Sequence, residues 1–158
     1  MRRRVVTRAD GSVAVIIPAQ DARRPDEPDD EFYERVFTET MARQPDWAGC
    51  AHVDIATDAQ PSRRFRNAWH VDGDVLTVNM TKARPLRLEE IRAERNARLK
   101  ASDGDVLREQ EQKGPKLVKL TSYRQSLRDL PQVVGPALDA LATPEDLDAF
   151  QPPWPEKP

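Results

Sequence analysis

The stretch YRQSLRDLP, residues 123–131, closes a longer pattern that begins at Lys116. Large side chains recur along this pattern every three or four residues, at Leu120, Tyr123, Leu127 and Leu130. Such spacing predicts a helix from Lys116 to Leu130 with one face packed against a neighbouring element. Pro131 is expected to end the helix, because proline lacks the backbone N–H that a helix interior uses.

A partner helix is predicted just before this one, from Leu86 to Lys100. Its apolar points are Leu88, Ile91 and Leu99, and Pro85 sits where a helix start tolerates proline. Ser102-Asp103-Gly104 interrupts the pattern, residues 105–113 can continue as helix, and Gly114-Pro115 breaks it. The two helices predict a helical hairpin over residues 82–131.

Two Asp-Gly pairs predict β-hairpins in the N-terminal half. Asp10-Gly11 separates the runs at residues 4–7 and 13–17, and Asp72-Gly73 separates the runs at residues 65–71 and 74–80. Asp-Gly favours a tight hairpin turn in which both central residues have positive φ. The first eighty residues therefore predict a small antiparallel sheet.

One helix is expected to accompany this sheet. Asp29 or Asp30 can cap a helix that runs to about Ala42, with an apolar stripe formed by Phe32, Val36, Phe37 and Met41. A loosely alternating strand is predicted from Cys50 to Ala56, and a linker from Thr57 to Ser62 leads to the second hairpin.

The C-terminal residues predict short pieces and an extended end. Residues 133–141 are apolar but contain Gly135-Pro136, and Thr143 is a predicted cap for a short helix to about Phe150. Residues 151–158 hold four prolines and predict extended or polyproline-like backbone. Trp154 either packs back onto the helices or contacts a partner.

These patterns predict an α+β protein in three parts: residues 1–81, a β-rich domain with one helix; residues 82–131, a helical hairpin; and residues 132–158, short helices with a proline-rich tail. Hydrophobic residues make up 38% of the chain, charged residues 33%, and 14 prolines stand against 6 glycines. So little apolar material predicts an extended, modular molecule that completes its burial on a partner.

The charge pattern excludes some classes of function. A net charge of −2 argues against a general nucleic-acid binder, although Arg2-Arg3-Arg4 is either a solvated strand end or a phosphate contact. The single cysteine, Cys50, excludes an internal disulfide. No apolar run is long enough to span a membrane, and the N-terminus does not resemble a signal peptide, so a cytoplasmic protein is expected.

Residues that could carry chemistry are sparse. His52 and His70 could meet across the sheet with Asp54 or Asp72, but their spacing matches no familiar metal site. Cys50 and His52 would point the same way from one strand, which is the wrong geometry for a nucleophile and its base. We therefore expect no catalytic residue, no cofactor and no metal, and hence a protein that is not an enzyme.

Two segments carry a resemblance to a known family. Residues 91–99, which contain Arg95-Asn96, and residues 123–131 together resemble the tail assembly chaperones of tailed bacteriophages, which pair an Arg-Asn helix with one reading Tyr-Arg-Gln-x-Leu-Arg-Asp-Leu-Pro. The closing Trp154-Pro155 and Lys157-Pro158 are similar to the way such proteins end. The chain departs from the family at residues 102–104 and 120–122, where two tryptophans are missing.

A looser resemblance covers the N-terminal half. Residues 65–69 followed by a hairpin, and then residues 79–84, are similar to uncharacterised phage and prophage proteins encoded near tail or tail-fibre genes. Together the resemblances imply a phage tail protein, either an assembly chaperone or a minor component of the tail tip, baseplate or fibre attachment.

Such a protein would act through other phage tail proteins, as a homo-oligomer or in symmetric copies, in the virion tail or in the host cytoplasm during assembly. No membrane is expected to be involved. An arginine-rich, nucleic-acid-associated phage protein is the alternative. Arg124 and Arg128 can reach acids of a partner or of the first helix, and Asp129 is expected to have a basic partner. The predicted partner-binding residues are Trp69, Tyr123, Arg124, Leu127, Arg128 and Trp154.

Overall fold

The computed structural model describes residues 2–55 and 60–158. The chain divides into two compact units, Met1–Asn79 and Met80–Pro158. The first unit contains antiparallel strands and one α-helix, and helices form the second, which confirms the predicted α+β class. Separate domains at residues 1–81, 82–131 and 132–158 stay a prediction. The predicted strand end at Ala56 and the linker residues 57–59 lie outside the described residues.

The first unit contains a three-stranded antiparallel sheet. Strands β1 (Arg3–Thr7), β2 (Val13–Ile16) and β3 (Ala51–Ile55) lie in the order β2-β1-β3. Val5 of the central strand pairs with Val15 on one side and Val53 on the other. The β-branched residues of β1 suit a strand that is paired along both edges, and both of its valines are fully buried.

The first hairpin forms where it was predicted, but its turn differs. Gly11 alone adopts positive φ, at 75°, whereas Asp10 does not. The Gly11 N–H donates to the Arg8 carbonyl at 2.9 Å, and the Ser12 N–H donates to the Asp10 carboxylate at 2.8 Å. A longer loop with a single left-handed glycine therefore joins the strands, and the expected two-residue turn is wrong.

The second hairpin is also shifted from the prediction. Strands β4 (Trp69–Asp72) and β5 (Val75–Val78) pair so that Asp72 faces Val75, which makes Gly73-Asp74 the turn. Gly73 has φ of 62°. Residues Arg63–Ala68 form a 3-10 helix instead of the start of the strand, because Phe65 and Ala68 fall on one face there and are both fully buried.

Helix α1 (Asp29–Ala42) packs on the three-stranded sheet. Its N-cap is Pro28 and no side chain caps it, so the predicted Asp29 or Asp30 cap is wrong; the acids of the first turn still favour the helix dipole. Tyr33 is buried, whereas Val36 and Met41 are only partly so. The helix and the sheet share one buried cluster, which consists of Val6, Ala14, Ile16, Phe32, Tyr33, Phe37 and Trp47.

An ion pair ties the connector before α1 to that helix. Arg35 donates from Nε to Glu27 Oε1 at 2.6 Å and from Nη2 to Oε2 at 2.8 Å. The Arg24 N–H also donates to Glu27 Oε2, at 3.0 Å. The bonds from Arg35, followed by the one from Arg24, lower the pKa of Glu27 to about 2.

The second unit is built from four helices: α2 (Met80–Ala101), α3 (Asp103–Glu111), α4 (Leu117–Ala140) and α5 (Pro144–Ala149). Helix α2 begins before the predicted start at Leu86 and contains Pro85. Helix α4 does not end at Pro131 but continues through it and through Pro136.

Packing explains why these prolines do not end the helix. A proline removes one backbone hydrogen bond and crowds the preceding turn, but neighbouring contacts can offset that loss. Pro131 is itself buried, and the apolar stripe continues beyond it at Val134 and Leu138, which are 1% and 2% exposed. The short apolar piece expected at residues 133–141 is therefore part of α4.

The C-terminal segment follows the prediction closely. Thr143 Oγ1 accepts a hydrogen bond from the Asp146 N–H at 3.1 Å, and Pro144 occupies the first turn. The predicted cap is thus confirmed. Residues 151–158 form neither helix nor strand, as expected for their proline content.

Alanine substitutions at Gly73 and Gly104 are expected to change the stability of the protein in opposite directions. Gly73→Ala should lower the free energy of unfolding by about 1 to 2 kcal/mol, because an L-residue is strained at positive φ. Gly104→Ala should raise it by up to about 1 kcal/mol, since Gly104 is helical and an added Cβ meets nothing within 4 Å. Urea denaturation followed by circular dichroism measures both, and equal changes of one sign would contradict the assigned turn.

The Glu27–Arg35 pair predicts acid sensitivity. A carboxyl whose pKa is lowered in the folded state stabilises it above the ordinary value, near 4.5, and loses that effect as the pH falls toward about 2. Glu27→Gln should flatten this part of the stability–pH curve. Glu156→Gln, at an exposed position outside any helix or strand, serves as the control and should leave the curve unchanged.

Candidate functional site

Helices α2 and α4 lie antiparallel and form the body of the second unit. Ile91 of α2 is 1% exposed, and the predicted stripe of α4 is buried at every position: Leu120, Tyr123, Leu127 and Leu130. The helical spacing of these side chains places them all on the inner face of α4. Burial of these apolar side chains therefore holds the two helices together.

Arg124 joins α4 to the end of α2. Its Nη1 donates to the Leu99 carbonyl at 2.8 Å, to Ser102 Oγ at 2.5 Å and to Asp103 Oδ1 at 2.7 Å. Ser102 is fully buried and donates in turn to the Leu99 carbonyl at 2.7 Å. The Leu99 carbonyl also accepts from the Ser102 N–H at 3.1 Å, so Arg124 adds a charged donor to a helix end that Ser102 already caps.

Two arginines of α2 hold the chain that follows α4. Arg84 Nη2 donates to the Leu141 carbonyl at 2.8 Å, and Arg87 Nη2 donates to the Phe150 carbonyl at 2.7 Å. Arg87 is 6% exposed and also bonds Glu90 Oε2 at 3.0 Å. These bonds fix both ends of the segment that contains α5.

The proline-rich tail packs back onto the helices. The Arg98 guanidinium lies 4.3 Å from the centroid of the half-buried Trp154 ring, which is cation–π geometry. Near the C-terminus, Lys157 Nζ lies 2.6 Å from Asp105 Oδ2, and this hydrogen bond lowers the pKa of Asp105. Of the two alternatives for Trp154, the described residues show packing onto the helices.

The predicted partner-binding residues occupy different environments. Tyr123 and Leu127 lie in the core of the second unit, and Arg124 is committed to the end of α2. Trp69, in the first unit, is 4% exposed and donates from Nε1 to the Ser62 carbonyl at 3.1 Å. Arg128 is exposed. Partner contacts at these residues and at Trp154 stay predictions.

The position of Asp129 differs from the prediction. The sequence predicts a helix end and a basic partner at this residue, but Asp129 lies well inside α4. Its Oδ1 accepts a hydrogen bond from Gln125 Nε2 at 2.9 Å. Because the helix continues, the unfavourable dipole that motivated a basic partner is absent at this position.

A basic groove runs beside the packed helices and was not predicted. It has a volume of about 280 Å³ and is lined by Arg92, Arg95, Arg128, Pro131 and Gln132. Arg92 and Arg95 are three residues apart in α2, so they share a face of that helix. That spacing is visible in the sequence, but the approach of Arg128 depends on how α4 lies against α2.

The remaining candidate residues do not assemble into a chemical site. His52 lies in β3 and pairs with Val6, whereas His70 lies in the other sheet and contacts Thr77 at 3.3 Å. Among the described residues, no group of three or more His, Cys, Asp or Glu could hold a metal ion. No helix within residues 2–55 and 60–158 has the length and apolar character needed to cross a membrane.

The N-terminal arginines are engaged within the first unit. Arg2 Nη2 and Arg4 Nε each lie 2.6 Å from the Asp54 carboxylate, and Arg2 also bonds Glu34 at 2.8 Å. Hydrogen bonding from Arg4, assisted by Arg2, lowers the pKa of Asp54. Arg4 is 8% exposed. The structure therefore shows an ion-pair cluster where the sequence left a solvated end or a phosphate contact open.

Comparison with known proteins found a similarity for most of the second unit. Residues 88–158 match the model of the family described as phage tail assembly chaperone protein, which confirms the resemblance of the C-terminal segment. The match covers less than half of the chain and supports a role in phage tail assembly. Neither the curated proteins nor the solved structures contained a significant match. The looser resemblance of the N-terminal half stays a prediction.

Arg124 and Arg128 provide a matched test of the bonds by which Arg124 joins α4 to the end of α2. Arg124→Ala should lower the free energy of unfolding by about 1.5 to 3 kcal/mol, because it removes three charge-assisted bonds that join α4 to the end of α2 and to Asp103. Arg128→Ala should change it by less than about 0.5 kcal/mol, since its one described bond, to Gln125 Oε1, is 3.5 Å long. If urea denaturation shows equal losses of stability for the two variants, the stabilising role of the Arg124 bonds is wrong.

Proposed function

Because residues 88–158 are similar to phage tail assembly chaperone proteins, we propose that this protein binds other phage tail proteins during assembly and is released before the virion is complete. The family match carries this proposal. It covers most of the helical unit, including all of α3, α4, α5 and the proline-rich tail. The proposal places the protein in the host cytoplasm while the tail is built.

The arrangement of the helical unit supports a binding role. Its long helices are locked by Arg124 and its tail is held by Arg87, Arg98 and Lys157. A scaffold whose helices and tail are fixed by internal bonds can present a surface with little loss of conformational freedom on binding. The family match also favours a non-enzymatic function.

A retained tail component is the second candidate. The same family match is compatible with a minor protein of the tail tip, baseplate or fibre attachment, present in symmetric copies. The nucleic-acid alternative has less support, because Arg2 and Arg4 bind Asp54 and Glu34 within their own unit. Phosphate binding there would have to compete with these carboxylates.

Deletion and virion analysis test the proposed function together. A phage that lacks the gene should make heads but no complete tails, and supplying the protein in trans should restore them. Mass spectrometry of purified wild-type virions should not detect the protein. Normal tails in the deletion phage would refute a role in assembly. Detection of the protein in virions in stoichiometric amounts would mean that it is a structural component and not a released chaperone.

A further inference from the structure

We propose that the basic groove formed by Arg92, Arg95 and Arg128 binds a glutamate- or aspartate-rich segment of the partner protein. The inference rests on the proposed function and specifies the chemistry of its partner. The groove lies where the Arg-Asn helix and the helix of residues 123–131 approach each other. Its occupant must supply carboxylates to arginines from two different helices.

Arg95 differs from the other arginines of α2. Arg84 and Arg87 donate to backbone carbonyls, while Arg92 and Arg98 pair with Glu89 and Glu94. By contrast, no hydrogen bond or ion pair of Arg95 is found among the described residues; its Nε–H, like those of Arg84 and Arg87, is buried without an acceptor. The Arg95 charge is therefore not paired within the described fold, and a carboxylate of a partner could pair with it.

Arg128 approaches the same groove from α4 with its charge uncompensated. No carboxylate pairs with it among residues 2–55 and 60–158, and its one described bond is the long contact with Gln125. Convergence of like charges raises the local potential and favours an anion. A guanidinium presents a planar fork that matches a carboxylate, so two arginines can hold two acidic side chains.

The surroundings favour a protein segment over a nucleic acid. Arg92 also lines a second groove, of about 150 Å³, whose lining includes Leu88, Gly135 and Leu138. Apolar side chains therefore lie next to the basic groove, which suits a segment of mixed acidic and apolar residues. Glu89 and Asp139 also line the second groove and would repel any anion there; a peptide can place apolar residues at those positions, whereas a nucleic acid carries a phosphate at every step.

A defined peptide tests the binding directly. The probe is a fluorescein-labelled twelve-residue peptide in which glutamates alternate with leucine and alanine, titrated with the full chain at low salt. We expect saturable binding that weakens in high salt and weakens at least about tenfold when the glutamates are replaced by glutamine. No binding by about 1 mM protein, or equal binding of the glutamine peptide, would overturn the proposal.

Paired variants separate the groove from general charge. Arg95→Gln/Arg128→Gln should weaken peptide binding at least about tenfold. Lys100→Gln/Arg108→Gln removes the same charge from exposed positions outside the groove and should have little effect. Thermal unfolding checks that both double variants stay folded. Equal peptide binding by the two double variants would overturn the proposal. If the wild-type protein binds a twelve-nucleotide oligothymidine more tightly than the peptide, the groove recognises nucleic acid and the proposal is wrong.

Complementation distinguishes this inference from the proposed function. If the wild-type protein restores tails to the deletion phage and the Arg95→Gln/Arg128→Gln variant does not, both stand. If both proteins restore tails equally, the groove has no role in assembly and only the inference fails. If the deletion phage makes normal tails, the proposed function fails, and peptide binding alone then decides whether the groove takes acidic segments.

Discussion

The bonds from Arg124 to the Leu99 carbonyl, Ser102 and Asp103 hold the helical unit in register. Apolar burial along α4 brings the two long helices together, but a stripe of leucines could also pack with the helices shifted by one turn. The bonds of Arg124 to the end of α2 would be lost in such a shift. Once that register is set, Arg84 and Arg87 face the carbonyls that follow α4, and Arg98 faces Trp154.

The same register creates the groove. Arg95 and Arg128 lie in helices that are separated by residues 102–116, and only the packing of α4 on α2 brings them together. Arginines that serve the fold are satisfied by carbonyls or neighbouring glutamates. Arg95 and Arg128 have no such partner among the described residues, and an unpaired charge can attract an anionic group. In the proposed binding mode, structural and binding roles fall on different arginines of α2 and α4.

The prolines of the second unit show how tertiary packing overrides a local signal. Pro85, Pro131 and Pro136 all lie inside helices, although proline is the strongest local indication of a helix end. Each removes one hydrogen bond, a loss confined to a single turn. The buried residues on both sides of Pro131 gain more from staying on one continuous helix than they would from a break.

Local chemistry in the sequence predicted the α+β class, both hairpins, helix α1, the buried stripe of α4 and the Thr143 cap, because periodicity, turn residues and caps act within a few positions. The turn geometry at Gly11 and Gly73, the length of α4 and the ion pairs of Arg2 and Arg4 were not predictable in the same way. They depend on strand register and on contacts between residues far apart in the chain. The groove belongs to this second class: the sequence shows its arginines, but only the packing of α4 against α2 makes Arg95 and Arg128 neighbours.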